Sequence, residues 1–147
     1  MLWTSLSRVD AAASGSVAAD EQLEAAMSEM NAALKSLGRG GITADNRDAA
    51  LEALSKFQRE AVVAKALTPP MTAKIDEKQR PEFVVGYRKM LAEAIKLACD
   101  AEIAVLDGKF EDADEILKNK LMGLKKAGHD KYQEEEEEGH ERGGKHK

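Results

Sequence analysis

The two side chains of this sequence with the most specific chemistry are the thioether of Met27 and the imidazole of His129. Met27 lies in the first turns of the first helical pattern, and His129 lies in the last turns of the fourth. In an up-down-up-down arrangement of four helices, these positions fall at the same end and at similar depth. A thioether and an imidazole that face each other across a helical core can coordinate a haem iron from both sides.

Each of the two residues also has an ordinary interpretation. The chain has six methionines, and a methionine on an apolar seam usually fills the core. A single histidine on a helix is more often a surface residue or a hydrogen-bonded polar residue. Spacing alone therefore leaves a haem site and ordinary packing both open.

Apolar residues at spacings of three and four predict the helices that would position these side chains. The first helix is expected to begin near Asp20, and glycines from Gly38 onward end it. Thr43 or Asp45 is expected to cap the second helix, which ends before Pro69. The inner faces of these two helices are Leu23, Met27, Met30, Leu34 and Leu37, and then Leu51, Leu54, Phe57, Ala61 and Ala64.

Two further helices follow a polar connection of residues 68–80. Pro81 suits the first turn of the third helix, and Gly108 can take the left-handed conformation after its end. The fourth helix is expected to run from Phe110 through His129 to Tyr132. Short first and third loops make sequential helices antiparallel, so the sequence predicts an all-α, antiparallel up-down-up-down four-helix bundle.

Composition agrees with one helical domain. The 147 residues are 43% hydrophobic but only 4% aromatic, a mixture that favours helix over sheet. The net charge of -5 argues against general nucleic-acid binding. The single cysteine, Cys99, excludes an internal disulfide framework and is expected to be a small buried side chain.

The two ends of the chain differ in composition from the middle. Residues 1–19 end in Ser16-Val17-Ala18-Ala19, which is typical of an export-leader cleavage site, although a disordered extension is the alternative. Residues 20–133 carry the four helical patterns. Residues 134–147 begin with five glutamates and are expected to be an acidic, disordered tail. No run of about 18 apolar residues predicts a membrane span.

Four short segments together resemble the soluble cytochrome b562 family. They are Leu23-Glu24-Ala25-Ala26-Met27, Ala66-Leu67-Thr68-Pro69-Pro70, Asp107-Gly108-Lys109 and His129-Asp130-Lys131-Tyr132. Each segment is a weak signal alone, but their order and spacing make a fairly specific match over about residues 20–133. This family is a known example of the up-down-up-down bundle.

The resemblance implies a small periplasmic electron carrier that is not an enzyme. It would be a monomer that binds one noncovalent haem b and exchanges electrons with redox partner proteins. Met27 and His129 fall where the family has its axial iron ligands. Because both axial positions would be filled, electron transfer is favoured over catalysis. The sequence has no Cys-x-x-Cys-His segment, so covalent haem attachment is not expected.

The resemblance also suggests which residues would surround the haem. The further expected contacts are Leu23, Met30, Pro69, Pro70, Tyr87, Leu91 and Lys125. Leu91 stands where the family tends to use an aromatic side chain, and Gln133 stands where it often has arginine. Lys125, one turn before His129, could pair with a haem propionate, although an ordinary solvated lysine is the alternative.

A haem-free bundle with a structural or interaction role is the alternative function. A di-iron bundle is disfavoured, since that class needs inward Glu-x-x-His pairs. The only such spacing, Glu137 to His140, lies in the tail.

Overall fold

A computed structural model describes the backbone of residues 7–133 and the side chains of residues 17–133. The described chain contains four helices and no strand. They are α1 (Ser7–Gly38), α2 (Arg47–Ala66), α3 (Arg80–Leu106) and α4, which begins at Phe110 and ends at Tyr132. Sequential helices pack side by side in an antiparallel four-helix bundle, so the fold class expected from the sequence is confirmed.

The fourth helix is interrupted by a π-helical segment that the apolar spacing did not predict. Its three consecutive parts are α-helical Phe110–Glu115, π-helical Ile116–Leu121 and α-helical Met122–Tyr132. An extra residue in the ladder rotates everything after it by about 100° relative to an unbroken α-helix. The π segment therefore decides which face of Met122–Tyr132 turns toward the rest of the bundle.

The core is apolar and rich in small side chains. Apart from the two tyrosines, the described part of the chain has no buried polar or charged side chain. Alanines fill many of the inner positions, which lets the helix axes approach one another closely; they include Ala26, Ala33, Ala50, Ala61, Ala64, Ala98, Ala101 and Ala113. Among residues 7–133, no helix is long and apolar enough to span a bilayer.

Three local expectations are corrected. The first helix begins at Ser7 instead of near Asp20, so the alanine-rich segment before Asp20 continues the helix. Neither Thr43 nor Asp45 caps α2, which follows Asn46. The side chain of Cys99 is half-buried instead of fully buried, because it lies at the border between the buried and the exposed face of α3.

Asn46 organises the first loop with its side-chain amide. Its Oδ1 accepts a hydrogen bond from the Thr43 N–H at 2.8 Å, and its Nδ2 donates to the Gly41 carbonyl at 2.7 Å. Gly41 has a φ of 69°, in the left-handed region that glycine adopts most readily. The Asn46 side chain thus holds the loop that precedes α2 and makes no capping hydrogen bond to the helix itself.

The same loop is attached to α4 by Asp114. The Asp114 Oδ1 accepts a hydrogen bond from the Ile42 N–H at 3.0 Å, and its Oδ2 lies 2.6 Å from Lys118 Nζ. Partial burial by itself would raise the pKa of Asp114. The hydrogen bonds from Lys118 and Ile42, together with the Lys118 charge, lower this pKa by more, so the net shift is downward. We call this part of the bundle, formed by Gly41, Ile42 and Asp114, the loop end.

The middle connection contains a short 3-10 helix, Pro70–Lys74. Arg80, the first residue of α3, donates hydrogen bonds from its guanidinium to the carbonyls of Ile75 and Ala73 at 2.9 and 3.2 Å. Pro81 lies in the first turn of α3, as expected. These contacts shape the connection that crosses the other end of the bundle.

Candidate functional site

A single cleft at the end opposite the loop end brings Met27 and His129 together. We call it the Met27–His129 cleft, and it encloses about 560 Å³, including space open to solvent. All four helices contribute to its walls. The lining residues are Met27, Met30, Asn31 and Leu34 from α1, Phe57 from α2, Met90, Leu91 and Ala94 from α3, and Leu121, Leu124, Lys125, Gly128, His129, Tyr132 and Gln133 at and after the π segment.

The cleft lies where the last part of α4 has few close neighbours on α1. Helix α1 packs along α2, and α3 packs along α4. Among the described residues, α1 comes closest to α4 at the π-helical Ile116–Leu121, whereas Met122–Tyr132 packs mainly against α3. The space between these two helix segments is where a flat ligand could enter.

The two candidate ligand atoms are accessible from this gap. The Met27 side chain is half-buried and His129 is exposed. The His129 imidazole makes no hydrogen bond or ion pair with any other described residue. Met27 packs against the core but keeps part of its side chain exposed, so both donors can be directed to a ligand.

The donor set fits a metal that brings most of its own ligands. In the described part of the chain, no three His, Cys, Asp or Glu side chains cluster as a site for a bare metal ion. One thioether and one imidazole instead match the two axial positions of a haem iron, whose other four ligands come from the porphyrin. The apolar walls of the cleft suit the faces of such a macrocycle.

A family comparison decides the identification. The model of the family "Cytochrome b562" matches residues 22–133, which include most of α1 and all of α2, α3 and α4. The chain belongs to the cytochrome b562 family. No curated protein sequence matches this chain. The resemblance noted in the sequence is thus confirmed, and the chain is of the small haem-binding, electron-transfer type that this non-enzymatic family represents.

The structure separates the other expected haem contacts of this cytochrome b562 chain into two groups. Met30, Leu91 and Lys125 line the Met27–His129 cleft. Leu23 and Pro69 are buried outside it, and Pro70 is exposed at the start of the 3-10 helix. Tyr87 also lies outside the lining. The geometry therefore gathers part of the expected set, and the roles of these residues stay predictions.

Tyr87 does not line the cleft but packs against Tyr132, which does. The Tyr87 hydroxyl donates a 2.8 Å hydrogen bond to the Ala64 carbonyl at the end of α2. Burial raises the pKa of Tyr87 to about 12, so the phenol stays neutral at physiological pH. Its ring packs edge-on against Tyr132, with centroids 5.6 Å apart, and Phe83 contacts the same Tyr132 ring at 5.0 Å. Tyr87 thus influences the cleft only indirectly, by its contact with Tyr132.

Several lining residues were not assigned to the site from the sequence. Asn31, Met90, Ala94 and Tyr132 are the clearest cases. Met90 lies three residues after Tyr87, and Ala94 lies three after Leu91. Asn31 lies four after Met27, so helical spacing from the expected residues could have found all three. Tyr132 lies after the π segment, where simple periodicity from the start of α4 no longer predicts the inward face.

Proposed function

We propose that this chain binds one haem b noncovalently in the Met27–His129 cleft and serves as a one-electron carrier. The observation that supports the proposal most directly is that Met27 on α1 and His129 on α4 line the same apolar cleft. The cytochrome b562 match covers both residues. We propose Met27 and His129 as the two axial ligands.

When bound, haem b supplies reversible one-electron chemistry, and a thioether ligand shifts its potential upward relative to ligation by two imidazoles. Met27 and His129 would occupy both axial positions, which leaves no place for a substrate. The imidazole must be neutral on the coordinating nitrogen, so binding requires His129 to be deprotonated there. This arrangement favours electron exchange with a partner protein over catalysis.

The other side chains that line the cleft would exclude water and hold the propionates of the haem. Leu34, Phe57 and Leu91 present apolar surface and would keep water away from the faces of the macrocycle. Lys125 is half-buried at the cleft and can offer its ammonium to a propionate carboxylate. The chain itself thus provides a low-dielectric slot with one cation at its edge.

We further propose that the carrier works as a monomer in the periplasm with protein redox partners. Support for this location comes from the family and from Ser16-Val17-Ala18-Ala19, which is typical of a leader cleavage site. The leader stays a prediction, as does the acidic tail of residues 134–147, which lies outside the described residues. Mass spectrometry of the protein isolated from its native host would show whether residues 1–19 are removed.

The central test is hemin titration of the purified full-length chain, followed by visible spectroscopy in both oxidation states. We expect a six-coordinate low-spin spectrum that sharpens on reduction. Met27→Ala and His129→Ala should each lose the low-spin form. Met71→Ala is the matched control for the methionine variant, because Met71 is not among the residues that line the cleft, and it should keep the low-spin form.

Two outcomes would contradict the proposal. If the wild-type chain shows no spectral change with hemin, a haem-free bundle with a structural or interaction role is the better description. If either cleft variant keeps the low-spin form, that residue is not an axial ligand. Acid acetone should extract the pigment completely, since the single cysteine cannot form the paired thioether links of a c-type attachment.

A further inference from the structure

Gly128, the residue before His129, is packed against the Met90 side chain of α3. A Cβ atom added to Gly128 would lie 2.5 Å from the Met90 Sδ and 3.0 Å from its Cε. Non-bonded carbon and sulfur atoms do not approach this closely, so no larger residue fits unless Met90 moves. The absence of a side chain at Gly128 is therefore what lets Met90 lie directly on the α4 backbone.

Gly86 and Tyr132 form the reciprocal contact. A Cβ atom added to Gly86 on α3 would lie 2.6 Å from the Tyr132 Oη and 3.8 Å from its Cζ. Tyr132 is buried, and its ring is held between Phe83 and Tyr87. Here the glycine belongs to α3 and the large side chain belongs to α4.

The two contacts share one register. Gly86 and Met90 are four residues apart on α3, and Gly128 and Tyr132 are four residues apart on α4, so each pair lies on one helix face. The pairing of Gly86 with Tyr132 and of Met90 with Gly128 runs in opposite directions along the two helices, as antiparallel packing requires. We call these four residues the α3–α4 lock.

We propose that the α3–α4 lock positions His129 before any cofactor binds. His129 lies between Gly128 and Tyr132, within the single helical turn that the lock holds. This inference rests on the proposed function, because it assigns the purpose of the lock to presenting the His129 imidazole to the cleft. Gly86, Met90 and Tyr132 are then positioning residues.

The physical reason for a lock at this place is that the end of α4 has few close neighbours on α1. The Met122–Tyr132 segment has α3 as its main packing partner among the described residues. Its rotation about its own axis must be set by that one interface. Two side chains inserted against two glycines, one turn apart, hold both the rotation and the register, and they direct residue 129 toward the cleft.

Gly86→Ala is the most informative variant, because Gly86 is not among the residues that line the cleft. Its added methyl group can disturb haem binding only through Tyr132. Tyr132→Phe removes the hydroxyl that the methyl group would meet, so the double variant G86A/Y132F should restore the fit. Gly123→Ala is the matched control, since a Cβ atom there meets nothing within 4 Å.

The first measurement uses the ligand-free, full-length protein with methyl-labelled Met and Leu. We expect nuclear Overhauser cross-peaks between the His129 ring protons and methyl groups of the cleft. G86A should weaken or abolish them, and G86A/Y132F should restore them. The G123A variant should keep them. A merely structural role for Gly86 would lower stability without changing these cross-peaks in the folded protein.

The second measurement is hemin affinity together with the low-spin fraction of the spectrum. We expect G86A to bind hemin roughly 10- to 100-fold more weakly, which is the usual effect of losing a residue that orients a metal ligand. G86A/Y132F should return to within about threefold of Y132F alone, since the disturbance is confined to one contact. G123A should match the wild type.

Met90→Ala keeps the proposal testable if G86A does not fold, because it removes a side chain from the lock without adding a clash. It should also weaken the His129 cross-peaks. The proposal is overturned if the wild type lacks these cross-peaks, if folded G86A and M90A both keep them, or if Y132F does not rescue G86A. If the wild type shows the cross-peaks but binds no hemin, the proposed function fails and the lock is still judged by the first measurement.

Discussion

The loop end and the cleft end of this bundle are built in opposite ways. At the loop end, the Asp114 carboxylate joins α4 to the α1–α2 loop through the Ile42 N–H, and Lys118 neutralises it. At the cleft end, the described residues show no hydrogen bond or ion pair between α1 and the last turns of α4. Apolar side chains and the two candidate donors, Met27 and His129, line the cleft there instead.

The difference shows that the polar groups at the loop end stabilise the fold, whereas the side chains at the cleft are available to a ligand. Polar groups at the loop end are paired within the protein, so they contribute to folding but are unavailable to a ligand. The His129 imidazole has no hydrogen bond or ion pair with the other described residues, which costs little because it is exposed to solvent. Met27 packs against the core but keeps part of its side chain exposed. Polar contacts thus join the helices at the loop end, whereas the opposite end contains a cleft that is open to solvent.

The largest expected effect on folding comes from Leu117, which is fully buried in the π segment between the two ends. Leu117→Ala should reduce the free energy of unfolding by about 2–5 kcal/mol, because the lost methyl groups leave a cavity. Chemical denaturation followed by circular dichroism measures this. Leu106→Ala is the control of the same type, since Leu106 is 54% exposed, and it should change stability little. Equal losses in both variants would contradict the assignment of the core.

Asp114→Ala should weaken the loop end without affecting the cleft. It leaves the Ile42 N–H without its acceptor, and a lost partner of a partly buried donor costs about 1–3 kcal/mol. Asp114→Asn keeps an oxygen for Ile42 and should lose less. Hemin affinity should be unchanged in both variants. A marked fall in affinity would show that the two ends are coupled.

The free energy of unfolding should depend on pH through the protonation of the Asp114 carboxylate. The pKa of folded Asp114 lies below its ordinary value of 3.8, so the folded state favours the charged form. Its contribution is therefore fully present above that value and is lost as the pH falls through the lower, folded pKa. Unfolding curves between neutral pH and strongly acidic pH should show a steeper loss for the wild type than for Asp114→Asn. Parallel curves would contradict the charge assignment.

The smallest effect on folding is expected at the proposed ligand itself. His129→Ala should change the stability of the ligand-free protein by no more than about 0.5 kcal/mol, because an exposed side chain without protein partners contributes little. The same variant should lose the low-spin haem spectrum. Thermal unfolding with and without hemin tests both statements: hemin should raise the midpoint of the wild type much more than that of the variant. A large loss of stability without hemin would mean that His129 is part of the framework.

The order and approximate position of the helices followed from the sequence, because a period of 3.6 residues identifies each inner face locally. Pro81 was placed correctly because proline suits the first turn of a helix, and the end of α4 at Tyr132 because the acidic run begins just after it. The start of α1 was placed too late, since small residues such as those before Asp20 give no strong periodic signal. The cap of α2 was misassigned because Asn46 acts within a loop whose shape depends on Gly41.

The candidate site divides in the same way. Residue type singled out Met27 and His129, and the order of short segments indicated the cytochrome b562 family, since both are properties of the linear chain. Only the tertiary structure decided which side chains line the cleft, where the π segment rotates α4, and how Gly86 and Gly128 receive Tyr132 and Met90. Those features depend on how closely two helices approach, and that distance is set by packing across the bundle and not by the period of any one helix.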